Sequence, residues 1–306
     1  MKAFVFPGQG SQYPGMGKEL SQEYPRAAEV FLEADEALGF PLSKLCFEGP
    51  KDELTLTQNT QPALLSVSVA VFRVLTDLGV SPDFVAGHSL GEYSALVAAG
   101  ALSFTDALRL VRKRGQFMQE AVPIGTGAMA AIIGLDIAAV ESVCQDAAQG
   151  QVVSPANENA ADQVAIAGHT AAVDRACELA LSQGARRAIP LPVSAPFHCS
   201  LMEPAQERMI PLLEAVELSD LQFPMVNNVD AKVVTSGNDA RDGLIRQIPS
   251  TVRWRESILR LSEEGVDSFV EVGAGRVLTG LVRRIAGGAG FASIEKPEQV
   301  RSYVQA

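Results

Sequence analysis

A chain of 306 residues, 47% hydrophobic and 20% charged, should be globular and bury a large core, as two modest domains or as one α/β domain with an insertion. Its 25 Lys and Arg against 36 Asp and Glu give a net charge of −11, which argues against nucleic acid as the main partner but leaves room for an acidic ligand at a local basic site. Four scattered cysteines (Cys46, Cys144, Cys177, Cys199) with no C-x-x-C and no histidine at metal spacing suit a reducing compartment, the apolar run before Pro7 is too short for a secretion signal, and no window approaches the length of a membrane span, so a soluble cytoplasmic protein is expected.

In chain order, "KAFVF" (2–6) reads as a first strand stopped by Pro7 and Gly8. Residues 60–78 carry apolar side chains at helical spacing, "DFVAG" (83–87) is a short buried strand, and 90–99 is a helix closed by Gly100. Ser103 opens another helix, with Asp106 three residues on in a capping-box pattern. The middle of the chain reads "AMAAIIG" (128–134, strand), "DIAAVESVCQDA" (136–147, helix), "QVVSPANE" (151–158) and "QVAIAG" (163–168, two strands), "TAAVDRACELALSQG" (170–184, helix) and "ARRAIPLPV" (185–193, strand). That order is β-α-β-β-α-β, the ferredoxin-like split unit. "DSFVEVG" (267–273) and "AGRVLTGLVRRI" (274–285) add a late strand and helix. Outside the middle, alternating strands and helices predict a parallel sheet with helices on both faces. The expected division is a core of residues 1–125 and 194–306 with a small subdomain, 126–193, inserted in it.

Three features carry chemistry. The stretch "GHSLG" (87–91) puts one serine between two glycines at a strand-to-helix turn. Ser89 is there either a nucleophile lifted above the sheet edge, with the helix N–H groups aimed at a developing oxyanion, or a hydroxyl that caps the helix. A nucleophile needs a base, and the chain has three histidines. His88 precedes the serine and should point another way, His169 at a strand end reads as a surface or capping group, and His198, in the irregular stretch "LPVSAPFHCSLM", is the best of the three. Its position 109 residues after Ser89, with 108 more following, differs from the late histidine of α/β-hydrolases, and no Asp or Glu stands out as a third triad member. A Ser-His pair is therefore expected.

The second feature is the helix "SFTDALRLVRKRGQFMQ". Arg109, Arg112, Lys113, Gln116 and Glu120 share its polar face, while Arg114 falls inside the apolar arc near Leu110 and Ala107. An inward guanidinium must find a partner. It is either one half of a structural ion pair or a fork for a ligand carboxylate. The third is "FPGQGSQYPGMG" (6–17), which has neither the Lys-Ser/Thr of a phosphate-binding loop nor the third glycine of a dinucleotide fingerprint. It reads as an ordinary turn or as a loop that brings backbone N–H groups to a ligand.

Together these motifs resemble the malonyl-CoA:acyl carrier protein transacylases, the acyltransferase family of fatty acid and polyketide synthesis. The matching stretches, in family order, are "FPGQGSQ" (6–12), "GHSLGE" (87–92), "RGQFMQ" (114–119), "SPANEN" (154–159), "FHCSLM" (197–202), "RQIPSTVRW" (246–254) and "EVGAGRVL" (271–278). The resemblance implies a hydrolase-like α/β core with a ferredoxin-like insertion. It implies Ser89 as nucleophile, His198 as base, Arg114 as the group that binds the malonyl carboxylate, and the backbone N–H groups of Gln9 and Leu90 as oxyanion hole. Gln247 stands where the family's backbone carbonyl orients the histidine, Asn157 matches an asparagine near it, and Phe197 matches the malonyl-selective pattern. The implied reaction is a ping-pong transfer from malonyl-CoA to the phosphopantetheine thiol of holo-acyl carrier protein, with no metal and no bound redox cofactor. The acidic carrier would dock on a local basic patch of a monomer. The rivals are a serine hydrolase or thioesterase in which Arg114 is structural, an acyltransferase of polyketide synthesis that loads another acid or edits acyl chains, and a non-enzymatic scaffold, against which Ser89, His198 and Arg114 together argue.

Overall fold

The computed structural model describes residues 1–123, 125–193 and 195–305; Ser194, the first residue of the expected second core segment, and Ala306, its last, lie outside the described residues. In chain order the strands are β1 (Lys2–Phe6), β2 (Phe84–Gly87), β3 (Gly127–Ile133), β4 (Val153–Ala160), β5 (Gln163–His169), β6 (Arg187–Pro190), β7 (Met225–Val226), β8 (Val233–Val234), β9 (Ser268–Val272) and β10 (Gly290–Ile294). They form a six-stranded sheet, β10-β9-β1-β2-β7-β8, and a four-stranded sheet, β4-β5-β3-β6.

The larger sheet is buried on both faces, and the two-residue period of its strands shows how. From β1, Phe4 and Phe6 enter one core, which includes the helix Thr57–Asp77, while Ala3 and Val5 enter another, covered by the helices Trp254–Glu263 and Val277–Ile285. β1, β2, β7, β9 and β10 run parallel as the alternation of strands and helices predicts, but the edge strand β8 runs antiparallel to β7. The reason is connection length: only a short turn, Asn227–Lys232, separates the two, and a parallel neighbour needs a long crossover. The Asn227 side chain closes that turn by accepting from the Asp230 and Lys232 N–H groups.

The small sheet is antiparallel throughout, with the strand order of the ferredoxin-like split unit. Ala130, Ile132, Val164 and Ile166 face the helices Ile137–Ala148 and Thr170–Ser182, and the alternate residues Met129, Ala165 and Ala167 join the main core. Backbone bonds between Ala156, Glu158 and Val252 stitch β4 to the segment that follows the helix Gly237–Gln247.

Helix Thr57–Asp77 starts three residues before its apolar periodicity predicts, because Thr57, Asn59, Thr60 and Gln61 are polar yet buried. Ser103 caps the helix Phe104–Glu120 by accepting from the Asp106 N–H at 3.1 Å, and its hydroxyl donates to the Asp106 carboxylate. The side chain of Asp106 thus meets the Ser103 hydroxyl rather than its N–H. The helices Lys18–Glu23, Pro25–Leu38, Glu203–Ala215 and Gly237–Gln247 have no counterpart in the sequence reading. Among the described residues no helix is long and apolar enough to cross a membrane.

Between β2 and the helix Gly91–Ala98 the chain turns so tightly that side chains are excluded. A methyl built on Gly87 would lie 1.9 Å from the Gly91 carbonyl, and one on Gly91 2.1 Å from the Phe6 carbonyl oxygen. Neither neighbour can give way, since both are backbone. Gly91→Ala is therefore expected to destabilise the fold by about 2–3 kcal/mol in urea titration, whereas Gly288→Ala, at an exposed turn with open space around it, should stay within about 0.5 kcal/mol of the parent.

Candidate active site

The turn lifts Ser89 into the left-handed region, φ 52°, a conformation that costs a residue with a side chain about 1–2 kcal/mol. Neighbouring polar groups hold it there. The Ser89 N–H donates to Asn228 Oδ1 at 2.7 Å, Asn228 Nδ2 donates to the Gly87 carbonyl at 2.7 Å, and Gln247 Nε2 donates to the Ser89 carbonyl at 3.0 Å. The side chain is then free of capping duty and meets two others.

One is His198. It also has positive φ, 62°, and is only 4% exposed. Its Nε2 lies 2.7 Å from Ser89 Oγ and its Nδ1 donates to the Gln247 carbonyl at 3.0 Å. A carbonyl oxygen only accepts, so Nδ1 carries the hydrogen and Nε2 presents its lone pair to the serine hydroxyl. A carboxylate in that place would raise the imidazole pKa. The neutral carbonyl does so only weakly, and burial followed by the nearby Arg114 charge pushes His198 down to about 3. The resting imidazole is neutral.

The other is Arg114, 1% exposed on the inner face of the helix Phe104–Glu120. Nη1 donates to Gln61 Oε1 at 2.9 Å; Nη2 donates to Gln247 Oε1 at 2.8 Å and to Ser89 Oγ at 3.1 Å. The guanidinium stands 5.7 Å from the Tyr93 ring. Among the described residues no carboxylate lies in ion-pair range of it, and its buried Nε has no protein acceptor. Burial lowers its pKa, yet arginine stays charged. The site thus keeps a buried cation satisfied by neutral amide oxygens alone, beside the serine oxygen.

The other sequence-predicted residues fall around these three. Leu90 is buried at the start of the helix Gly91–Ala98. Gln9 lies in the loop after β1, its Nε2 donating to Thr57 Oγ1 at 3.4 Å. Among the described residues no protein acceptor takes the backbone N–H of Gln9 or Leu90. Phe197 is buried in the main core beside His198. Asn157 is buried on β4, where its backbone bridges to Val252, and no hydrogen bond joins it to His198. Its neighbour Asn159 instead holds His88 Nε2 at 2.9 Å, with the His88 ring 5.5 Å from Trp254. The His169 side chain does not cap a helix: its Nδ1 accepts from the Val152 N–H at 3.0 Å, because the antiparallel partner brings that donor to it.

Three groups in this cluster escape sequence reading: Gln61, Asn228 and Glu92. Glu92 left a signal, an acid in an otherwise apolar helical run, "YSALVAA". Asn228 left none, since its partners Ser89 and Gly87 are more than a hundred residues away. Among the described residues no group of three or more His, Cys, Asp or Glu side chains is arranged to hold a metal ion.

Comparison with known proteins places these features in context. Residues 3–288 match the family described as acyl transferase domain. The malonyl CoA-acyl carrier protein transacylase of Bacillus subtilis (strain 168) is 51% identical over 304 residues, covering 99% of this chain and 96% of that protein. Among solved structures, the malonyl CoA-acyl carrier protein transacylase of Coxiella burnetii superposes with a TM-score of 0.97 at 46% identity, covering 99% of this chain and 96% of that one. A malonyl-transacylase solved in complex with its type II PKS acyl-carrier protein also superposes with a TM-score of 0.97, at 48% identity and 99% coverage of both chains.

A neutral, Nδ1-protonated His198 should keep Ser89 reactive in acid. Labelling of Ser89 by a fluorophosphonate is expected to hold its rate from about pH 7.5 to about pH 5.5, where an imidazole at its ordinary value of about 6.5 would lose about tenfold. A tenfold fall across that interval, followed by mass spectrometry of the labelled protein, would mean that His198 is not held neutral. The base is read directly by His198→Ala, which should leave Ser89 unlabelled.

Proposed function

The chain belongs to the acyl transferase domain family, and we propose that it moves the malonyl group of malonyl-CoA to the phosphopantetheine thiol of holo-acyl carrier protein through a malonyl-serine, supplying fatty acid or polyketide synthesis. One observation carries the reading: a base and an unpaired buried cation meet at one serine oxygen, His198 Nε2 at 2.7 Å and Arg114 Nη2 at 3.1 Å. The first pair suits acyl transfer in general, and the second suits an acyl group that ends in a carboxylate.

In the first half-reaction Ser89 Oγ attacks the thioester carbonyl while His198 Nε2 takes its proton. The carbon–oxygen bond forms and the carbon–sulfur bond breaks, and His198 returns the proton to the CoA sulfur. In the second, His198 takes the proton of the phosphopantetheine thiol, the sulfur attacks the malonyl ester, and the proton returns to Ser89 Oγ. The developing oxyanion is assigned to the Gln9 and Leu90 N–H groups, for which no protein acceptor is found among the described residues. The Gln247 carbonyl keeps the His198 tautomer and steadies the imidazolium, the office a carboxylate performs in a triad.

Arg114 receives the malonyl carboxylate, for which Gln61 and Gln247 hold the guanidinium in place. Phe197, buried next to His198, limits room for a branch on the acyl chain. Asn157 serves through its strand, whose backbone ties to Val252 beside the Gln247 segment. The proposed core is 1–125 with 194–306 and the proposed inserted unit 126–193, with the acyl group bound where β4 meets the core. No metal or redox cofactor enters these steps; the phosphopantetheine arrives on the partner. Every group named comes from one chain, so a monomer suffices, and four free cysteines suit the cytoplasm.

Brief incubation with malonyl-CoA should add the mass of one malonyl group to the intact protein, not to Ser89→Ala, and holo-acyl carrier protein should discharge it. Arg114→Ala removes the partner of a desolvated carboxylate, so its preference for malonyl over acetyl thioester should fall at least about 100-fold. Free malonate in place of a stable adduct would favour a hydrolase.

A further inference from the structure

Gln247 can do its work in only one orientation. Its Oε1 accepts from Arg114 Nη2, while its Nε2 faces Glu92 Oε2 at 2.6 Å, the Ser89 carbonyl at 3.0 Å and Asn228 Oδ1 at 3.4 Å. Turned over, the amide would set an NH2 against a guanidinium and an oxygen against three oxygens. The shortest of the Nε2 contacts is the one to Glu92. Glu92 is wholly buried in the first turn of the helix Gly91–Ala98, and the same Oε2 accepts the Asn228 N–H at 3.3 Å. Asn228 in turn grips the elbow at Ser89 N–H and the Gly87 carbonyl.

We propose that Glu92 is a positioning residue: a buried acceptor that sets the orientation of the Gln247 amide and the seat of Asn228, and through them the place of Arg114, the carbonyl under His198 and the turn at Ser89. It acts on Arg114 across one intervening amide. The guanidinium feels a negative charge near it while its own donors stay available to a substrate carboxylate. A carboxylate in direct contact would close the fork; a neutral apolar residue would remove the shortest of the Nε2 contacts and leave the Asn228 N–H without its acceptor. This assignment rests on the reading of Arg114 as the malonyl-binding group.

The charged and titratable groups facing Glu92 are Arg114 from the helix Phe104–Glu120, Asp230 from the turn after β7 and the adjacent Tyr93. Burial, the largest influence, pushes the carboxyl up to about 7, against the pull of Gln247, the Asn228 N–H and Arg114. His198 stays neutral throughout this range, and the CoA phosphates are common to malonyl- and acetyl-CoA, so a change near neutrality in the preference for malonyl is assigned to Glu92. Its sign follows: as pH falls through 7 the Glu92 charge is lost, the guanidinium attracts the malonyl carboxylate more strongly, and half-saturation by malonyl-CoA moves to lower concentration relative to acetyl-CoA.

Two variants separate acceptor from charge. Acylation of Ser89 is followed by intact mass against malonyl-CoA concentration and pH, with thermal unfolding alongside. Glu92→Met keeps the bulk without an acceptor and is expected to acylate about 10- to 100-fold more slowly, with a weaker preference for malonyl over acetyl thioester. Glu92→Gln keeps an acceptor oxygen without charge; it should recover most of the rate and lose the pH dependence of that preference. A folded Glu92→Met with the parent's rate and preference overturns the proposal. Should Glu92→Met fail to fold, Glu92→Gln decides, with acetyl-CoA as the control that carries the same phosphates: a malonyl-over-acetyl preference that still changes near pH 7 overturns it, and a preference that is flat with pH supports it. The parent protein tests the underlying reading separately, since it must form the malonyl adduct whatever the variants do.

Discussion

One amide residue holds the site together. Gln247 offers two carbonyl oxygens that point to different groups: the backbone oxygen to His198 Nδ1, which becomes a cation only during the reaction, and the side-chain oxygen to Arg114 Nη2, which is one already. Both are neutral acceptors, and that choice governs the electrostatics. A carboxylate beneath the histidine would raise its pKa, and one against the arginine would occupy the fork. With neutral oxygens the imidazole rests unprotonated and the guanidinium rests charged but unpaired. The cost of burying that charge is borne by the surrounding core until an anionic ligand enters.

Such an arrangement depends on the backbone being immovable nearby. The elbow is close-packed, glycine against carbonyl, and Ser89 takes positive φ within it. Asn228 and Gln247 then satisfy the groups the turn exposes. These two residues come from the turn after β7, the neighbour of β2, and from the helix Gly237–Gln247, and Arg114 comes from a third element. The site is therefore rigid only if the whole sheet is, which is why the two cores on either face of β1 matter to chemistry at its end. The small sheet adds a second wall, docked through alternate residues of β3 and β5 and through the β4 backbone.

The local parts were legible in the sequence. Short apolar strands bounded by glycine and proline, and a serine set between two glycines at a strand-to-helix turn, are patterns with a spacing of a few residues, so they survive without tertiary context. The inward angle of Arg114 was legible for the same reason: 100° per residue is a local rule. The antiparallel edge strand β8 was not, because two residues carry no period, and neither were the helices Lys18–Glu23, Leu42–Glu48 and Lys51–Thr55, each too short to show a helical period.

What the sequence by itself determined is the strand–turn–helix at Ser89, the βαββαβ order of the middle unit and the residue types from which a serine site with a base and a buried cation can be built. What only the tertiary structure decided is who meets whom. Ser89, His198, Arg114 and Gln247 are separated by 25 to 158 residues, and their atoms lie within hydrogen-bond reach through contacts no local pattern encodes. Glu92 and Asn228 join them for the same reason. A hydrogen bond depends on donor and acceptor standing about 3 Å apart, and that distance is a property of the folded sheet and its loops, not of spacing along the chain.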